Sequence, residues 1–133
     1  MYKKRTVVKM KKLAMFFKVF SEELRLRIFA MLAAGSEACV CALSRVLKTS
    51  QSKTSRHLAY MKKSGLVSSR RIGTWVYYRL ERKTEVKRLA LLESIKSDLM
   101  KKWQIQKDLK KLAGPSLKTG NARFKFRQAK PYS

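Results

Sequence analysis

Residues 49–80 read TSQSKTSRHLAYMKKSGLVSSRRIGTWVYYRL, and the fold follows from this stretch. Ser50 can cap a helix over about Gln51 to Ser64, because its hydroxyl accepts a hydrogen bond from an otherwise unsatisfied amide of the first turn. Gly65 stops that helix in the left-handed conformation that side chains resist. Leu58 and Met61, three apart, share an inward face, while Gln51, Ser52, Ser55, Arg56 and Lys62 fall on the other side. Beyond the glycine, Leu66 to Arg71 and Thr74 to Leu80 are strand-like, and Ile72-Gly73 between them supplies the positive φ of a tight hairpin. A polar helix followed by a basic, aromatic hairpin is the layout of a winged helix-turn-helix, whose second helix enters a DNA groove.

Base edges are read by adaptable hydrogen-bonding side chains near a helix start, and phosphates by cations around them. Gln51, Ser52 and Ser55 are the candidates for bases, with Ser50 at the helix start in the same set. Lys53, Arg56 and Lys62 are the candidates for phosphates. Arg70 and Arg71, near the hairpin tip, can reach the neighbouring minor groove or its phosphates, or guard an exposed strand against edge pairing. Trp75, Tyr77 and Tyr78 have the look of base-stacking platforms, but in a hairpin backed by helices they belong mostly to the core. His57, followed by Leu58, is expected to pack or bond within the domain rather than act as a titrating switch.

The 133 residues hold 33 Lys and Arg against eight Asp and Glu, a formal net charge of +25. Such a self-repelling surplus favours a polyanionic partner. Lys-rich surfaces that serve only solubility or heat resistance usually mix in Glu, and here the acids are scarce. The length suits one domain able to bury roughly 65 to 70% of its unfolded surface. No run approaches the roughly 18 apolar residues that cross a bilayer, and no secretory signal is evident, so a cytoplasmic protein without a membrane partner is expected. Two cysteines are too few for a disulfide framework and are expected to be reduced. With one histidine, dispersed acids and no glycine-rich phosphate loop, the chain lacks the makings of an enzyme.

Outside the central stretch, residues 1–12 carry six cations and no acid and form a basic arm, with the first helix proper starting near Met10. Leu13, Phe16, Phe17 and Phe20 mark one face of that helix, and Met15 and Val19 widen it almost all round. A partner subunit is its natural cover. Ser21 is the candidate cap of a second helix with Leu24, Ile28, Met31 and Leu32 as its core stripe and Gly35 as its stop; Arg25 and Arg27 lie off the stripe. A short helix within Cys39 to Leu47 and a polar turn at Lys48 and Thr49 lead into the reading helix. A last helix begins near Thr84, with Glu85 in its first turn. Leu92, Ile95, Leu99 and Trp103 recur down it, and Ile105, Leu109 and Leu112 extend it. Gly114-Pro115 breaks the pattern. The divisions are therefore a basic arm over 1–12, a winged-helix DNA-binding and dimerisation domain over 13–112, and a flexible basic tail over 113–133.

FFKVFSEELRLRIF (Phe16 to Phe29), the Cys39-Val40-Cys41 step, TSQSKTSRHLAYMKKSGLV and SSRRIGTWVYYRL resemble the ArsR/SmtB family of metalloregulatory repressors over about residues 13–80. The resemblance implies a mainly α fold with a small β-hairpin wing, and a homodimer joined through the first and last helices. That agrees with the crowded Phe face and the late Leu/Ile/Trp stripe. It also implies a repressor that leaves its double-stranded operator when an inducer binds. Two reading helices about 34 Å apart call for an imperfect inverted repeat. The chain departs from the family at Glu22-Glu23, where Asp-Pro is common, and at Ser44, where arsenic-responsive members often carry a third cysteine.

Cys39 and Cys41 are the candidate inducer site. Thiolates are soft ligands, suited to arsenite, antimonite or a soft metal ion, and no permanent cofactor is expected. Residues two apart on a regular helix point about 200° away from each other, so both sulfurs meet one ion only if Cys39 lies at or before the helix start. Ser44 shares a face with Cys41 but is a poor third ligand. Two alternatives stay open: a repressor of the same fold that senses oxidants or persulfides through the pair, and a basic nucleic-acid-binding protein with no sensing function.

Overall fold

The computed structural model describes residues 3–35, 37–82 and 86–113, with side chains apart from those of residues 3–9 and 86–87. In chain order the elements are α1 (Lys3–Val19), α2 (Glu23–Ala34), β1 (Ala38–Cys39), α3 (Val40–Leu47), α4 (Gln51–Lys63), β2 (Val67–Ile72), β3 (Trp75–Leu80), α5 (Val86–Met100) and α6 (Trp103–Ala113). The helical architecture with a basic antiparallel hairpin matches the sequence expectation. Among the described residues no helix is long and apolar enough to cross a membrane. The tail beyond Ala113, and the start of the last helix at Thr84 and Glu85, lie outside the described residues.

Helix α2 is the hub. Ile28, Phe29, Ala30, Met31, Leu32 and Ala33 are all buried along it, and α4, α5, α6 and β3 pack around it. Its cap is Glu22, whose carboxylate accepts from the Leu24 amide at 3.3 Å, and not Ser21. Ser21 instead donates its hydroxyl to the Lys18 carbonyl at 2.7 Å, because it still belongs to the turn that closes α1. That first helix begins at Lys3, inside the expected basic arm rather than near Met10. Its aromatic face also divides: Phe16 and Val19 are buried, whereas Met10, Leu13 and Phe17, spaced for one helical face, are exposed.

Helix α4 forms as its punctuation dictates. Ser50 Oγ accepts from the Lys53 amide at 3.0 Å, Leu58 and Met61 are fully buried, and Gly65 takes φ +87°. The helix ends at Lys63, with Ser64 as its C-cap. Thr54 adds a buried clamp, its hydroxyl donating to the Ser50 carbonyl at 2.9 Å. In the wing, Ile72 pairs with Trp75, so the two-residue loop is Gly73-Thr74 rather than Ile72-Gly73. Ile72 stays in the ladder as a half-buried apolar residue, and Gly73 carries the positive φ of 63°.

Two elements differ from the sequence reading. A third strand, β1, joins the wing, giving the order β1-β3-β2. The single late helix is two helices: Lys101 and Lys102 amides close a tight turn onto Asp98 and Leu99 carbonyls, after which α6 folds back on α2 and α3. Trp103 therefore leaves the stripe and is 71% exposed, while Ile105, Asp108 and Leu112 form the buried face of α6. The reversal is held by Arg27 of α2, whose Nε and one terminal nitrogen donate to the two Asp108 oxygens at 2.8 Å each, with Gln104 donating to the same carboxylate at 2.9 Å. That bond pushes the Arg27 pKa up.

Removing one member of a buried pair costs more than removing both, because it strands the other charge. Arg27→Met is expected to lower unfolding stability by about 3 kcal/mol, with Arg27→Met combined with Asp108→Leu recovering most of the loss. Chemical denaturation of both variants checks this.

Candidate DNA-binding surface and cysteine pair

On α4 the side chains of Gln51, Ser52, Lys53, Ser55, Arg56 and Lys62 are all exposed, since Thr54, Leu58 and Met61 take the inner face. Ser50 is exposed too, but its hydroxyl oxygen already serves as the cap. Lys62 Nζ donates to Ser69 Oγ of β2 at 2.8 Å, which ties the far end of the reading helix to the wing. Arg71 is exposed on β2. Arg70 is not a free cation at the tip: its guanidinium forms a two-pronged ion pair with Glu37, at 2.6 and 2.7 Å.

Arg25, which sequence reasoning placed only off the core stripe, adds polar contacts to α4. Its guanidinium donates to the Lys18 and Val19 carbonyls at 3.1 and 3.0 Å and to His57 Nδ1 at 3.2 Å, and it lies 4.6 Å from the Tyr60 ring centroid. One side chain thus satisfies the carbonyl end of α1 and grips the reading helix. His57 bonds within the domain, as expected. Arginine is always a donor, so the His57 Nδ1 accepts and the ring is neutral.

Cys39 is the last residue of β1 and the N-cap of α3, with φ −82° and ψ 158°, and its Sγ accepts from the Ala42 amide at 3.2 Å. It therefore lies just before the helix start, the condition for the two sulfurs to meet. They do meet, with Cα atoms 5.3 Å apart, and are joined as a disulfide. An extended residue feeding the helix turns both side chains to one side, so the pair can close. In this state neither sulfur is a thiolate able to ligate an ion. Ser44, buried, donates its hydroxyl to the Cys41 carbonyl at 3.2 Å, and among the described residues no group of three or more His, Cys, Asp or Glu could hold a metal.

The fold and this surface define a winged helix-turn-helix protein. The model of the bacterial regulatory protein, arsR family, matches residues 22–69. The arsenical resistance operon repressor of Escherichia coli is 48% identical over 64 residues, covering 48% of this chain and 55% of that one. Among solved structures, HlyU from Vibrio cholerae is 32% identical with a TM-score of 0.59, covering 69% of this chain and 96% of that one. A homodimeric winged helix-turn-helix DNA-binding domain from Mycobacterium bovis, described as a possible ArsR-family regulator, has a TM-score of 0.61 at 28% identity, covering 74% and 90%. The chain belongs to the arsR family of regulatory proteins. It spans about half the length of the first curated relatives it matches.

Burial first, and the Arg25 cation second, hold the His57 imidazole below its ordinary value, with Glu22 opposing them. The unfolded chain then takes up the proton at a higher pH than the folded one, so His57's contribution is intact above about pH 6.5 and is lost as pH falls through that value toward the folded pKa. His57→Gln keeps an acceptor for Arg25 and cannot be protonated. Its urea unfolding free energy is expected to vary less than wild type between about pH 7 and pH 5.

Proposed function

We propose that the protein is a dimeric transcriptional repressor that binds an inverted-repeat operator through α4 and the wing and releases it when Cys39 and Cys41 are oxidised to a disulfide. The observation that carries this reading is the position of the sulfur pair: the two are bonded to each other at the start of α3, the helix that supports α4, in the residue that also ends a wing strand. Gln51, Ser52 and Ser55 read bases, Ser50 caps the helix that presents them, and Lys53, Arg56, Lys62, Arg70 and Arg71 face phosphates. The excess of cations supplies the sequence-independent part of the affinity.

The dimer is supported by what this chain leaves uncovered. Met10, Leu13 and Phe17 on α1 and Leu91 on α5 are large apolar side chains in the open, and a second copy buries them symmetrically. The redox step balances with a peroxide: one thiolate attacks a peroxide oxygen to give a sulfenic acid and hydroxide, which leaves as water, and the second thiol displaces the sulfenic hydroxyl as a second water. Two S–H bonds become one S–S bond, and the peroxide gains the two electrons. A polysulfide accepts the same two electrons as its own S–S bond breaks.

A second reading, release by arsenite, antimonite or another soft ion on the reduced pair, is supported by the arsenical-resistance relative. The geometry favours it less, because the third position is Ser44 with its hydroxyl engaged by Cys41.

A mobility-shift titration on an operator selected from random duplexes separates the two. Oxidation is expected to weaken wild-type binding roughly 5- to 150-fold, reversibly with a thiol reductant, while Cys39→Ser and Cys41→Ser stay bound. Arsenite acting on reduced protein with no response to peroxide or polysulfide would replace the redox reading with the soft-ion one.

A further inference from the structure

The wing and the cysteine pair share one rung of the sheet. Tyr77 of β3 is the partner of Cys39 on one side and of Arg70 on the other, so the backbone of Arg70 is located relative to Cys39 across a single residue. Glu37 stands one residue before β1, and its carboxylate reaches across the same sheet to the Arg70 guanidinium. The Arg70 side chain is largely open to solvent, whereas Glu37 is mostly covered, so the acid is fixed and the arginine is the mobile partner.

Carboxylate and phosphate compete for the same fork of guanidinium donors. An arginine held on both prongs by Glu37 has its charge cancelled where a phosphate would meet it, and the carboxylate adds a repulsive charge of its own. In a chain with only eight acids, this one is paired with a cation of the wing. The pairing of Ala38 and Cys39 with β3 places the backbone next to Glu37, and the end of that strand is the residue the disulfide links to α3.

Building on the redox reading above, we propose that Glu37 is an autoinhibitory carboxylate. With the disulfide closed it occupies Arg70 and removes one phosphate contact per subunit. With the disulfide opened, the peptide bond at Val40 is the only covalent link between β1 and α3, Cys39 can leave the extended geometry that pairs it with Tyr77, the Glu37 carboxylate withdraws, and Arg70 turns to the DNA backbone. The partner recognised by the released arginine is a phosphate of duplex DNA beside the reading groove.

The test measures operator affinity against salt for wild type, Glu37→Gln, Arg70→Gln, the double variant and Glu93→Gln, each oxidised and reduced. Glu93→Gln makes the same charge change on an exposed site of α5 and controls for a general electrostatic gain. In wild type, oxidation is expected to flatten the logarithmic salt slope by about 0.9 per subunit, the loss of one phosphate. Glu37→Gln is expected to keep the steep slope and the tight binding when oxidised, so that its redox ratio falls toward one. Arg70→Gln is expected to show the shallow slope in both states, with no further change in the double variant. Wild-type switching together with an unaltered redox ratio in Glu37→Gln, or a Glu93→Gln response equal to it, overturns the autoinhibitory role and leaves the redox reading standing. A wild type that binds equally in both states overturns both.

Discussion

Two residues of strand pairing, Ala38 with Tyr78 and Cys39 with Tyr77, set the terms for the rest of the molecule. They make the wing a three-stranded sheet instead of a lone hairpin, which alone is marginal in water. They also hold Cys39 extended, and an extended residue before a helix is what both a cap and a cysteine pair of this spacing require. The same residue therefore ends a strand, caps α3 and carries a sulfur. In the proposed switch, a change at that sulfur has one neighbour in the wing and another in the support of α4, without a long path of intermediates.

The second constraint is charge. A chain at +25 repels itself in the compact state, and three of its eight acids sit at joints between elements. Asp108, almost fully buried, fastens α6 to α2 through Arg27. Glu22 caps α2, and Glu37 engages the wing arginine. The first contact is structural because Asp108 has no solvent to retreat to. The last, with an exposed arginine, contributes little to stability, and this weakness makes it suitable as a contact that opens.

Much of this was legible in the sequence because local rules decide it. Ser50 and Gly65 delimit α4 by capping and by positive φ, and the polar face over Gln51 to Lys62 is the complement of Leu58 and Met61. What was illegible depends on contacts distant in sequence. Two residues, Ala38 and Cys39, are too few to show a strand pattern, so the pairing with Tyr77 and Tyr78 left no periodic trace. The break at Lys101-Lys102 carries neither glycine nor proline, and helical spacing runs on through it; only the burial of Asp108 opposite Arg27, 81 residues away, reverses the chain there. Ser21 misled because a serine followed by acids suits the end of one helix as well as the start of the next. A lone acid beside the cysteines in an acid-poor chain, Glu37, was the available signal for the wing contact.

Arg25 connects the parts of the proposed assembly. Its bonds to the Lys18 and Val19 carbonyls fix it to the end of α1, the helix whose Met10, Leu13 and Phe17 face is left for a second subunit. Its contacts with His57 and Tyr60 fix it to α4. In the proposed dimer built on α1, one guanidinium per subunit thus adds a directional contact to the apolar packing of Leu58 and Met61 that seats α4. In the dimer we propose, such a joint is a fixed point for α4, which Lys62 also ties to the wing through Ser69. Both contacts fall in the second half of α4, at His57, Tyr60 and Lys62, so the first turn with Gln51 and Ser52 is held by the Ser50 cap and is the part of the helix nearest to any movement of α3.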